Sequence, residues 1–159
     1  MGNKTHRPLG FDSLEQEVYL NLWRTYDRLR AIEETVFGPR GITSQQYNVL
    51  RLLAAHHPDP VPTLKIANRM ISRAPDITRM LDKLEVGQWI LRTRPLENRR
   101  MVLISLTTRG LELLDEISGP IQKCHEKQLG HLSKQELNQL AALLRSARKP
   151  HEQEKKLWS

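Results

Sequence analysis

The stretch KIANRMISRAPDITRMLDKLEVGQWILRTRPLENRRMVLISLTTR, residues 65–109, decides how this chain folds. It sits within two apolar-periodic segments and two extended runs. From Pro62 to Met70, Leu64, Ala67 and Met70 recur at helical spacing, and from Pro75 to Val86, Ile77, Met80, Leu81 and Leu84 do the same. Pro75 suits a first helical turn, and Gly87 suits a helix end. The face opposite Ile77, Leu81 and Leu84 carries Pro75, Arg79, Asp82 and Lys83. Two short segments, Leu91–Arg94 and Met101–Leu106, the latter of strand character, flank a hairpin tip, Pro95-Leu96-Glu97-Asn98-Arg99-Arg100. The quoted stretch holds ten Lys and Arg against four Asp and Glu, a net +6 of the whole chain's +7. Charge concentrated in this way is the footprint of a polyphosphate partner.

Outward from this stretch the chain is helical. Leu14, Val18, Leu22, Tyr26, Leu29, Ile32 and Val36 make one stripe on a long helix over 12–37, with Ser13 and Gln16 as its capping box. Gly38-Pro39 and Gly41 break it, and Thr43 with Gln46 starts a second helix reaching about Ala55. His56-His57-Pro58-Asp59-Pro60 is a loop. After Thr107 helix resumes to Leu129, with a kink or short break expected at Ser118-Gly119-Pro120. Ser133 and Glu136 cap a last helix carrying Leu137, Leu140, Leu143 and Leu144. The tail beyond Lys149 is mostly polar, with Trp158 its largest apolar group.

Composition sets the class. At 159 residues and 38% hydrophobic, the chain supports one folding unit, alone or shared with a second copy. Cys124 is the single cysteine, which excludes an intramolecular disulfide and suits a reducing compartment. No apolar run approaches the roughly 20 residues of a membrane span, and Met1–Gly10 lacks the apolar core of a signal peptide, so the cytoplasm is the expected location. Cys124-His125 with His131, and His56-His57 with Asp59, lack zinc spacing and read as structural or solvated groups. No nucleophile elbow, phosphate-binding glycine loop or metalloprotease motif is present, so neither catalysis nor a metal or other cofactor is expected.

A helix-turn-helix followed by a two-stranded hairpin is a winged helix-turn-helix. Four segments in order resemble the signatures of the MarR (multiple antibiotic resistance regulator) family of transcriptional regulators. They are Thr43-Ser44-Gln45-Gln46-Tyr47-Asn48-Val49-Leu50, Ile66-Ala67-Asn68-Arg69-Met70, Ile77-Thr78-Arg79-Met80-Leu81-Asp82-Lys83-Leu84-Glu85, and Glu97-Asn98-Arg99-Arg100 leading to Leu103-Ile104-Ser105-Leu106-Thr107. The likeness spans roughly residues 12–147. It implies a mainly α fold with a small β-hairpin wing: a DNA-binding region at 43–107, a dimerisation region at 12–37 and 108–147, and flexible termini at 1–11 and 148–159. It also implies a two-fold homodimer and a repressor released by a small aromatic effector. Two positions depart from the family pattern. Asn98 stands where an Asp pairs with the wing arginine, and Arg73 stands where a serine opens the recognition helix.

A helix seated in the major groove of double-stranded DNA reads base edges, while flanking cations neutralise phosphates. Arg73 and Arg79 are placed on bases, Pro75 and Thr78 on thymine methyls, and Asp76 either on a cytosine amino group or as a first-turn carboxylate favoured by the helix dipole. Arg99 and Arg100 are placed in a minor groove. Lys65, Arg69, Lys83, Arg92 and Arg94 are placed on phosphates. Trp23, Tyr26 and Tyr47 are expected either as core or as the walls of the effector pocket. The contrasting function is a winged-helix adaptor or antirepressor that binds protein and not DNA.

Overall fold

The computed structural model describes residues 10–71 and 76–152. Helix α1, Leu14–Phe37, starts at Ser13, whose side chain accepts from the Gln16 amide. Gln16 returns its carboxamide oxygen to the amide of Asp12 at 2.7 Å, one residue earlier than a capping box would. A 3-10 turn over Gly38–Arg40 and Gly41 at φ 69° lead into α2, Ser44–Ala54, whose Thr43–Gln46 capping box is complete.

The next element departs from expectation. Val61–Pro62 is a strand, β1, and the helix expected from Pro62 begins one residue later as α3, Thr63–Arg69. Its buried face is Ile66 with Met70, whereas Leu64 and Ala67 are exposed, Leu64 at 72%. Docking of Val61 and Pro62 onto the sheet fixes the direction in which this seven-residue helix leaves, and that rotates the face one position from the one its periodicity suggests. Helix α4, Ile77–Val86, buries Leu81 and Leu84 and half-buries Ile77 and Met80, as the spacing predicts. The helix expected from Pro75 therefore starts at Ile77; Pro75 itself, with Arg73, lies outside the described residues.

Strands β2, Ile90–Thr93, and β3, Leu103–Leu106, form the wing, and β1 joins them in an antiparallel sheet of order β1-β3-β2. Ile90 faces Leu106 and Thr93 faces Leu103, so residues 94–102 project as the tip. Gly87 ends α4 as its C-cap, as its place in the sequence predicts, and the left-handed residue in the turn to β2 is Gln88, at φ 61°. Gly87 also meets a steric need. A Cβ there would lie 2.5 Å from the Trp89 ring.

Helix α5, Thr108–Leu129, runs unbroken through Pro120. Pro120 lacks the amide that would bond back along the helix, but Leu113, Ile117, Ile121 and Cys124 form a buried stripe on both sides of it. Packing thus carries the helix across the expected break. Helix α6, Lys134–Arg148, opens with the Ser133–Glu136 capping box and has no buried residue. The core gathers Phe37, Val49, Leu50, Leu53, Ile66, Leu81, Leu84, Ile90, Ile104 and Ile117 beneath α4 and the wing.

Candidate nucleic-acid interface

The amphipathic pattern of α4 buries one face and leaves Thr78, Arg79, Asp82 and Lys83 exposed on the other. Asp76 caps this helix: its Oδ1 accepts from the Arg79 amide at 2.9 Å. Asp76 thus stands at the N-cap, one position before the first turn in which its carboxylate was expected. Among the described residues, Arg79, Lys83, Arg99 and Arg100 make no ion pair, so their charge faces solvent.

Arg92, expected on a phosphate, is by contrast already engaged within the subunit. Its Nη2 lies 2.6 Å from both Glu85 Oε2 and Asp82 Oδ1. Its Nε and backbone amide donate to the same Glu85 carboxylate at 2.9 and 3.2 Å. The hydrogen bonds from Arg92 hold the Glu85 carboxyl below the ordinary carboxylate range, and Glu85 in turn raises the guanidinium. A cation held between two carboxylates has little charge left for DNA. What the cluster does is fasten β2 to α4, which fixes the wing's angle to the helix. Sequence reasoning missed Glu85, because nothing in its spacing marks a contact made across a turn.

The wing tip is bonded internally. Asn98 donates its amide to the Pro95 carbonyl at 3.2 Å, and Met101 donates to the Asn98 carbonyl at 3.1 Å. Asn98 Oδ1 accepts from the Arg100 amide at 3.2 Å, so the family's ion pair is replaced by a neutral bond to backbone. Arg94 Nη1 donates to the Arg99 carbonyl at 3.0 Å, bracing the tip while leaving Arg94 exposed. Lys65 is exposed and Arg69 half-buried on α3.

Above this face, α1 and α6 carry apolar surface that the single chain does not cover. Leu14, Val18, Tyr19, Leu22, Trp23 and Tyr26 are exposed on α1, and Leu140, Leu143 and Leu144 on α6. The three aromatic residues expected as core or as pocket walls differ in their surroundings within the subunit. Tyr47 packs on Phe37, ring centroids 4.9 Å apart, and lines a groove of about 670 Å³ with Arg51, Ile121, His125 and Leu137. Trp23 and Tyr26 are 64% and 62% exposed and are not among the residues lining that groove.

Cys124 is buried, and burial first, then nearby Glu33, pushes its thiol up. That is the opposite of a reactive thiolate. His56 places Nδ1 2.9 Å from the Leu52 carbonyl at the end of α2. Among the described residues no three His, Cys, Asp or Glu converge as metal ligands, and no helix is long and apolar enough to cross a membrane.

Comparison with known proteins agrees with this geometry. The sequence profile of the MarR family matches residues 42–102. The chain is 52% identical to the MarR transcription factor from Planctomyces limnophilus, whose crystal structure it covers to 98%, over 85% of its own length, with a TM-score of 0.69. It is 27% identical to the HTH-type transcriptional repressor MdtR of Bacillus subtilis, over 82% of this chain and 83% of that one. It is 25% identical to MepR of S. aureus in a crystal structure with DNA, covering 83% of this chain and 97% of that one, with a TM-score of 0.73.

Proposed function

The chain belongs to the MarR family of helix-turn-helix transcriptional regulators, and from that premise we propose that it is a homodimeric repressor of a pseudo-palindromic operator, released by a small effector. One observation carries the reading: α4 and the wing tip present Arg79, Lys83, Arg99 and Arg100 to solvent on a subunit whose α1 and α6 also carry uncovered apolar residues. Two copies joined through those residues set two reading heads on one duplex, with half-sites about 10 base pairs apart.

In this reading Arg79 and Thr78 meet base edges, as do Arg73 and Pro75, which precede α4 in the sequence. Asp76 holds the helix start, and a carboxylate has further lone pairs for a cytosine amino group. Arg99 and Arg100 enter the minor groove, and Lys65, Arg69, Lys83 and Arg94 neutralise phosphates. Arg92 keeps the wing in place. The groove at Tyr47 is the effector site, while Trp23 and Tyr26 belong to the dimer contact. An effector that fits the groove in only one spacing of the heads lowers DNA affinity by its differential binding.

Selection of bound duplexes from a random library tests this. Enrichment of a palindrome supports a regulator, and no enrichment supports the adaptor or antirepressor. If two subunits neutralise about eight phosphates, the log–log salt slope is about −7. A slope near zero would remove the electrostatic basis of the proposal.

A further inference from the structure

We propose that Leu96 is a wedge that enters the minor groove at each wing, parts a base step and bends the operator; this rests on the DNA-binding reading above. Leu96 occupies the second position of the turn closed by the Asn98-to-Pro95 hydrogen bond, and it is 83% exposed. Turn positions favour Gly, Pro, Asn, Asp and Ser, each for a backbone reason that leucine lacks. Its side chain finds no compensation in packing. The neighbouring apolar residues Met101 and Val102 line the groove between wing and α3, and Leu96 is not among the residues that do.

A lone exposed leucine on an even surface needs no explanation. Here it stands on a projecting tip. The hydrogen bonds from Asn98, Met101, Arg100 and Arg94 hold that tip in shape, so inserting it costs little ordering of the loop. Arg94, Arg99 and Arg100 against Glu97 leave residues 94–100 with a net +2, which draws the tip to the phosphates that flank the groove whatever the sequence beneath it. Apolar wedges of this kind unstack a step and kink the duplex towards the major groove, most easily at pyrimidine–purine steps. A local sequence choice that contradicts its turn and is not repaid inside the fold is expected where a partner repays it.

The test uses the full chain, Leu96→Ala and Leu96→Met, with duplexes recovered by selection. Each is dye-labelled at both ends and made with either a TA step or an A-tract under the wing. Wild type should bend the TA duplex, read by energy transfer, and prefer it to the A-tract. Leu96→Ala should bind the TA duplex about tenfold more weakly and leave it straighter, with an unchanged salt slope because no charge is lost. Leu96→Met should stay close to wild type, because methionine keeps the apolar reach. If Leu96→Ala bends and discriminates as wild type does, the wedge is refuted while the regulator stands. If wild type binds no duplex at low salt, both readings fall together.

Discussion

Arg92 shows why residue type and position did not reveal residue role. Within a basic stretch it has the same sequence signal as Arg94 or Arg99, yet it lies between Glu85 and Asp82 and orients the wing. Replacing it with alanine should cost about 1 kcal/mol or less, because these groups remain partly exposed to screening water. DNA affinity should fall by more than that, as the wing loses its angle to α4. Denaturant melts beside duplex titrations at several salt concentrations separate the two effects; a salt slope lowered by the loss of Arg92 would return it to the phosphates. Acid adds a signed expectation. Glu85 titrates below its ordinary value of 4.5 in the folded chain, so its stabilisation is present above that value and is lost as pH falls through the folded pKa. Glu33 is shifted the other way: burial raises its pKa, against the opposing charges of His125 from α5 and Arg30 on its own helix, while Glu34 beside it adds to the rise. It opposes folding once pH rises through its folded pKa, and the penalty is absent below 4.5. Glu33→Gln should therefore raise the melting temperature near neutrality and leave it unchanged at acid pH. A variant less stable at pH 7 would show that the carboxylate has a partner worth keeping.

At the level of elements, long periodic segments were legible and short ones were not. The stripe of α4 repeats often enough for spacing to place its buried face, whereas most of the α1 stripe lies exposed on the single chain. Seven residues of α3 allow more than one face, and only the pairing of Val61 with Ile104 and of Pro62 with Leu103 selects Ile66 and Met70. β1 itself was not legible, since two residues ending in proline carry no alternation. The cationic face of α4 could be read from its sequence, whereas the Glu85–Arg92 clasp and the packing of Tyr47 on Phe37 depend on contacts between elements. The joint between wing and α5 is one such contact. Thr107 caps α5 and donates its hydroxyl to the Gln88 carbonyl at 2.7 Å, Arg109 donates to the Gln88 side chain at 3.1 Å, and Gly110 passes against the sheet. A Cβ on Gly110 would lie 2.4 Å from the Trp89 carbonyl oxygen, which is backbone and cannot swing away. Gly110→Ala should thus destabilise the chain by about 1–3 kcal/mol despite alanine's better helix propensity. Thermal melting of the pure variant decides it, and a gain in stability would mean that the sheet and α5 part easily.

For the whole molecule, one chain leaves too much apolar surface on two helices for that surface to be incidental. Exposed leucines scattered singly are ordinary, but α1 carries Leu14, Val18, Leu22 and Trp23 along its length, and α6 carries Leu140, Leu143 and Leu144 with nothing buried beneath them. An amphipathic helix is held mainly by what its apolar face packs on, so α6 of a lone subunit should be marginal. This ties assembly to both stability and recognition. Leu143 is 68% exposed within the subunit, so Leu143→Asp spares the core while placing a charge on the proposed contact. Sedimentation should show the variant shifting from two-chain to one-chain mass. Its melting temperature should fall and lose the concentration dependence that a coupled dimer has. Loss of the second reading head should weaken operator binding by about 100-fold or more, because the linked half-site no longer benefits from a high effective concentration, and the salt slope should fall to about half. A variant that remains dimeric with full operator affinity would place the contact elsewhere, and a wild type that sediments as one chain would leave the two-headed geometry without a basis.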